Sequence, residues 1–115
     1  MGADSSILTD VKESLGITSD YKVFDNQIMM HINSILMVLS QIGVGPEKSY
    51  TLATGFETWR DYLGDKVDEL PSVKTYICLR VRLLFDPPTS SVLGDAIKKQ
   101  IDELEWRLTI TSDEK

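Results

Sequence analysis

The most constraining feature of this sequence is a set of large apolar residues that recurs every three or four positions between residues 24 and 42. Its members are Phe24, Ile28, Ile32, Ile35, Leu39 and Ile42. On a helix of 3.6 residues per turn these positions share one stripe, so they predict a long amphipathic helix with one buried face. Asp25 is predicted as its N-cap, and Gly43, followed by Gly45 and Pro46, is predicted to end it.

Three further stripes predict three more helices of the same kind. They comprise Ile7, Val11 and Leu15; Val73, Ile77, Val81 and Leu84; and Leu93, Ile97, Ile101, Leu104 and Leu108. Ser5 or Ser6 is suited to cap the first helix, and Gly16 to close it in a Schellman-type turn. The helix after Pro71 carries apolar residues on several sides, which indicates a central position in the fold.

Two segments between and after these helices are predicted to be extended. Residues 44–55 contain β-prone residues between turn formers, which is typical of a loop or short extended arm. The segment Thr54–Glu57 has the pattern of a capping box, so a short helix is expected after Thr54 and before Gly64. The tail 109–115 is expected to be extended, because residues 108–111 alternate apolar and polar as in a strand.

The length and charge favour one small acidic domain. The chain has 115 residues and a net charge of −6, which disfavours non-specific binding to nucleic acid. The single cysteine excludes an internal disulfide, and no apolar segment is long enough to span a membrane. We therefore predict one all-α domain over residues 1–115, a bundle of four to five helices with a core at about 5–108, made in a cytoplasm and without contact to membranes.

The residues that most often carry chemistry do not form a recognisable site. His31 lies in the second helix without neighbouring metal ligands, and Cys78 lies in the most apolar helix, where a buried thiol acts as a small hydrophobe. The sequence has no phosphate-binding glycine loop and no common hydrolase motif. The prediction is therefore a protein that is not an enzyme, with no catalytic, cofactor-binding or metal-binding residues.

Five residues are predicted instead as protein–protein contacts. They are Tyr50 and Leu52 in the arm, and Trp106, Leu108 and Ile110 at the end of the chain. Trp106 lies off the apolar stripe of its helix, and tryptophan is enriched at interface hot spots. Two interpretations of Trp106 stay open: an exposed residue that awaits a partner, or a residue turned inward by fraying of the helix end. For the tail, strand addition to a neighbour and a disordered terminus stay open.

Taken together, several segments resemble the head–tail connector, or adaptor, proteins of tailed bacteriophages and prophages. They are ILTDVKESLGI, FDNQIMMHINSILMVLSQIGVGP, WRDYLG, and the end YICLRVRLLFDPPTSS with IDELEWRL, and together they span residues 7–108. The resemblance implies a structural protein of the virion, located at the head–tail junction. It also implies a homo-oligomeric ring under the portal protein that extends the DNA channel and binds the next connector, stopper or tail protein. DNA would pass through this ring without sequence-specific binding.

Two other classes of protein remain as alternatives. The first is a small helical DNA-binding or regulatory protein of a phage or prophage, which would need clustered basic residues. The best candidates, Lys74, Arg80 and Arg82, point in three directions on their helix, which favours separate ion pairs. The second alternative is an enzyme whose carboxylates meet only in three dimensions and have strongly shifted pKa values.

Overall fold

A computed structural model describes residues 2–46 and 50–113 of the chain, of which residue 113 by its backbone alone. Its elements are five α-helices and two 3₁₀-helices: α1 (Ile7–Ser14), α2 (Asp25–Gln41), α3 (Trp59–Leu63), α4 (Leu70–Phe85), α5 (Ser91–Asp113), and the 3₁₀-helices Gly2–Asp4 and Gly64–Glu69. In the described residues the only β-type pairing is an isolated bridge between Ser6 and Thr58. The prediction of a small all-α bundle is confirmed.

Helix α4 is the centre of the fold. It packs against α1, α2 and α5 and against the 3₁₀-helix that precedes it. Its residues Val73, Tyr76, Ile77 and Val81 are buried, which explains the many apolar positions that distinguish this helix in the sequence. At one end of the bundle the start of α2 packs against the end of α4. The rings of Phe24 and Phe85 lie 5.2 Å apart there, edge to face.

The predicted ends of α1 and α2 are largely confirmed. The side chain of Ser6 caps the start of α1. At its end Gly16 adopts a φ of 79°, and the N–H of Ile17 donates to the carbonyl of Lys12 at 2.9 Å, as in a Schellman motif. Gly43 ends α2 in the same way. In both cases glycine supplies the positive φ that other residues adopt only with strain.

The prediction that Asp25 caps α2 is wrong. Asp25 is the first residue of the helix, and Phe24 occupies the N-cap position without a side-chain hydrogen bond. The Asp25 carboxylate instead lies 2.7 Å from the ammonium group of Lys12, whose side chain is only 2% exposed. The demand of a buried cation for a counter-charge outweighs the gain from a helix cap.

The capping box expected at Thr54 lies four residues further on. Thr58 caps α3 and accepts a hydrogen bond from the N–H of Asp61, whose carboxylate accepts from the N–H of Thr58. Half of the predicted box forms, because the Glu57 carboxylate accepts from the N–H of Thr54 at 3.0 Å. The Thr54 hydroxyl, however, accepts from the N–H of Phe56 and not from that of Glu57, and no helix starts there. Gly64 ends α3 as predicted.

The described part of the arm at residues 44–55 is a loop that folds back on the domain. The N–H of Leu52 donates to the side-chain oxygen of Asn33 at 2.7 Å, and the Asn33 amide donates to the carbonyl of Leu52 at 3.1 Å. Asn33 therefore pairs with the loop as a neighbouring strand would. Residues 47–49 lie outside the described residues.

The extended tail is a wrong prediction over residues 109–113, which continue α5. The hydroxyl of Thr109 donates to the carbonyl of Glu105 at 2.8 Å, and Leu108 is buried on the inner face of the helix. Extending an existing helix by one residue needs no new nucleus, so the established helix overrides the weak β preference of this segment. Residues 114–115 lie outside the described residues.

Candidate interaction surfaces

The position of α5 is set by its inner face, which packs on α4. Ile97, Ile101 and Leu108 are buried there. A polar contact adds to this packing: the Tyr76 hydroxyl of α4 donates to the Glu105 carboxylate of α5 at 2.7 Å. Burial and the Glu105 carboxylate together raise the pKa of Tyr76 to about 12, so the hydroxyl keeps its proton and remains a donor. These contacts fix which side of α5 faces outward.

The opposite side of α5 is exposed and carries apolar residues. We define the outer face of α5 as Val92, Ala96, Lys99, Glu103, Trp106 and Ile110, all of which are exposed. Trp106 is 65% exposed and Val92 is 79% exposed. Of the two interpretations of Trp106, the structure supports the exposed one, because the helix continues without fraying beyond it. A large ring held in water on a regular helix is a candidate contact residue.

The other predicted contact residues lie in different environments. Ile110 is partly exposed on the outer face of α5, whereas Leu52 and Leu108 are buried in the chain's own core and cannot contact a partner in this conformation. Leu108 was selected because the tail was expected to be a strand, and the helix turns it inward. Tyr50 is half-buried, with its ring 5.4 Å from that of Tyr62.

Further exposed apolar residues outside α5 were not predicted from the sequence. Tyr21, Val23 and Phe56 are at least half exposed, and the Tyr21 ring lies 6.0 Å from that of Phe24 at the start of α2. Phe56 was expected to lie on the short helix, but it precedes that helix and is 82% exposed. The available signal was the apolar side chains of Tyr21 and Val23, on either side of Lys22, which precede the helical stripe.

The Asp10 carboxylate is held by three partners within the fold. Asp10 accepts hydrogen bonds from the Ser5 hydroxyl at 2.6 Å and the Trp59 ring N–H at 2.7 Å, and lies 3.2 Å from the Lys74 ammonium. Burial alone would raise the pKa of Asp10, but these three partners outweigh it and lower the pKa. The cluster joins α1, α3 and α4, which is a structural role.

Of the three basic residues considered as a nucleic-acid site, two form ion pairs with carboxylates of the same chain. Lys74 pairs with Asp10, and the Arg80 guanidinium lies 3.6 Å from the Glu105 carboxylate and donates to the Tyr76 hydroxyl at 3.0 Å. The expectation of separate ion pairs therefore holds for these two residues. Arg80 also borders a cleft of about 170 Å³ between α4 and α5, which is smaller than typical ligand pockets.

Comparison with known proteins identifies the family. The family model described as "phage connector protein" matches residues 7–115, which is nearly the entire chain. The chain belongs to the phage connector family. No curated protein and no solved structure is detectably similar to it. The family resemblance inferred from the sequence is thus confirmed. Membership of this family places the protein among the structural components of the virion that contact other head or tail proteins.

The remaining chemistry-bearing residues of this connector lie in the helices. His31 is half-buried in α2, and burial raises the pKa of the half-buried Cys78 thiol in α4, which keeps it protonated. In the part of the chain that the structure describes, no group of three or more His, Cys, Asp and Glu side chains is placed to hold a metal ion. No described helix of the connector has the length and hydrophobicity required to cross a membrane.

Proposed function

We propose that this connector assembles as a homo-oligomeric ring under the portal protein, at the head–tail junction of the virion. The ring extends the DNA channel of the portal and offers its far side to the next connector, stopper or tail protein. Membership of the connector family supports this proposal. The protein is made in the bacterial cytoplasm and acts as a structural part, not as an enzyme.

The observation that carries the proposal is the exposed apolar surface on the longest helix. Trp106 and Ile110 lie one turn apart on the outer face of α5, and the inner face is fixed by α4. A rigid helix that presents a large aromatic residue to solvent is suited to bind a preformed partner with little loss of conformational entropy. We assign this end of α5 to contacts with the portal or with neighbouring subunits.

The charge of the chain is compatible with a DNA channel. Each subunit contributes a net charge of −6, and a ring multiplies this charge around its axis. A negative lining repels the phosphate backbone, so DNA can slide past without being retained.

The proposal is tested by mixing the purified connector with its portal protein and measuring the mass of the complexes. Trp106→Ala should weaken the association about tenfold or more, because truncation of a buried interface tryptophan commonly costs more than 1 kcal/mol. Phe56→Ala is the matched control, since it removes another exposed aromatic ring at a position outside α5. Circular dichroism of both variants should show unchanged helix content.

Two results would count against the proposal at different levels. Equal binding by the Trp106→Ala variant and the unmodified protein would remove α5 from the interface but leave the ring possible elsewhere. The location under the portal would be refuted by two results together: the unmodified connector does not associate with the portal, and purified virions do not contain the protein.

A further inference from the structure

The outer face of α5 has the spacing of a helix–helix seam. Its residues follow one another at intervals of four and three positions from Val92 to Ile110, as in a heptad repeat. With about 100° between successive residues, the six side chains fall within about 80° of the helix circumference. This arc lies opposite the buried stripe of Ile97, Ile101 and Leu108. The helix therefore has two seams, and of these the residues that the structure describes fill the inner one.

The residues along this face are complementary to the same residues read in the opposite direction. When two copies of α5 are laid antiparallel, Val92 meets Ile110 of the second copy and Ala96 meets Trp106. At the centre, Lys99 meets Glu103, and twofold symmetry repeats each of these contacts. Apolar pairs thus lie at the ends and a small residue faces the large indole ring. The two central positions, Lys99 and Glu103, are charged and not apolar. Because their charges are opposite, each charge meets a partner across the seam.

We propose that two free copies of the connector pair antiparallel through the outer face of α5. The occupant of this face is a second copy of the chain, because the match of charge and size depends on the chain's own sequence read backwards. In a parallel pair Lys99 would face Lys99 and Glu103 would face Glu103, which repel each other. The antiparallel arrangement removes both repulsions and gains two ion pairs.

The expected dimer is weak and reversible. One helix face of about 27 Å buries less surface than a stable interface requires. Glu103 also pairs with Arg107 of its own chain at 2.6 Å, and the Asp102 side chains of the two copies lie on the same flank of the seam and repel. Replacing Asp102 by Asn should therefore strengthen the dimer.

This dimer is a form of the free protein and does not depend on the proposed ring. A twofold contact of this kind is closed, so it cannot continue from subunit to subunit around a ring. Because the dimer covers Trp106, it would hold the apolar surface of unassembled subunits away from water until another partner displaces the second copy.

The first test measures the mass of the connector alone by sedimentation equilibrium, up to a concentration of about 1 mM. Lys99→Glu and Glu103→Lys should each weaken dimerisation about tenfold or more, because each change replaces two attractions by two repulsions. The double variant, which exchanges the two charges, should restore the dimer. Lys22→Glu, a matched charge reversal before α2, should leave it unchanged. A protein that stays monomeric at about 1 mM, or a dimer unaffected by the single reversals, would refute the proposal.

The second test determines the direction of pairing with a short thiol-reactive cross-linker in a Cys78→Ser background, because position 102 lies on the flank of the seam, too far from its equivalent for a direct disulfide. Cysteine at position 102 should link to itself between two copies, since this position lies beside the twofold axis. Cysteine at position 96 should not, because its equivalents lie about 15 Å apart along the seam. The reverse pattern would show a parallel pair and contradict the antiparallel seam. Neither test includes the portal, so its outcome is separate from that of the proposed function.

Discussion

At the scale of single residues, Glu57 orders a loop that has no regular secondary structure. Its carboxylate accepts hydrogen bonds from the N–H groups of Ala53, Thr54 and Gly55 at 2.7, 3.0 and 2.9 Å. Three convergent backbone donors form a small anion-binding turn, here filled by the chain's own side chain. Although burial opposes ionisation, these bonds lower the pKa of Glu57 to about 2.

We predict that Glu57→Gln lowers the free energy of unfolding at pH 7 by about 2 kcal/mol, because charge-assisted hydrogen bonds become neutral ones. The folded pKa of Glu57 lies below its ordinary value of 4.5. Its stabilising effect is therefore complete above about pH 5 and is lost as the pH falls toward 2. Urea denaturation of both proteins at several pH values checks this. A difference that stays constant from pH 7 to pH 2 would show that the charge is not responsible.

Lys12 shows a different way in which one residue fixes the fold. It is 2% exposed, pairs with Asp25, and donates to the carbonyl of Ser19 at 3.2 Å. We predict that Asp25→Asn destabilises the protein by about 3 kcal/mol, because it leaves a buried ammonium without its counter-charge. The double variant Lys12→Met/Asp25→Asn should recover most of this loss, since the methionine fills the space without a charge. Urea denaturation measures both, and additive losses in the double variant would contradict the assigned coupling.

Neither the contacts of Glu57 nor the ion pair between Lys12 and Asp25 follows from the apolar spacing and capping patterns that predict helices. Lys12 lies four residues after Leu8, on the apolar side of a short helix, but its partner comes from the next helix. The pattern from Thr54 to Glu57 fits both a capping box and the observed loop. Local sequence defines which bonds are possible, and the tertiary packing decides which of them form.

At the scale of elements, apolar spacing and glycine stops predicted the helices and most of their ends. The same signals gave a wrong prediction where a segment has the pattern of a strand but directly follows a helix. Residues 108–111 alternate as a strand does, yet they follow a long helix that extends through them. The angle of Trp106 on α5 left two interpretations open, and the structure decides for the exposed one, whereas Leu52 was misplaced because the sequence does not show that Asn33 holds the loop.

Two helix-flanking glycines should differ in their tolerance of substitution. Gly16 has a φ of 79° and no atom within 4 Å of an added Cβ, whereas at Gly45, with a φ of 90°, the Cβ would lie 2.7 Å from the ring of Tyr62. We predict a loss of about 1 kcal/mol for Gly16→Ala, from backbone strain alone, and of about 3 kcal/mol for Gly45→Ala, where overpacking is added. Thermal denaturation ranks the two variants. Equal losses would mean that the Tyr62 ring moves aside without cost.

At the scale of the whole molecule, the charge separates a DNA conduit from a DNA-binding regulator. Proteins that bind duplex DNA without sequence preference do so with Kd values of about 10⁻⁴–10⁻⁶ M at physiological salt, through clusters of Lys and Arg that displace counterions. In this connector the net charge is −6, and Lys74 and Arg80 are held by carboxylates of their own chain. The free chain therefore lacks the electrostatic attraction that brings such proteins to DNA.

We predict that the connector does not shift duplex DNA in a gel at about 150 mM salt, even at protein concentrations of about 100 µM, where at least about half of the DNA would be bound by a non-specific DNA-binding protein. Lowering the salt to about 50 mM should not produce binding, because repulsion between two anions grows as screening falls. A basic DNA-binding domain run in parallel confirms that the assay detects weak complexes. A shift that weakens as salt rises would reveal phosphate contacts, and would favour a regulator that binds DNA over a ring through which DNA passes.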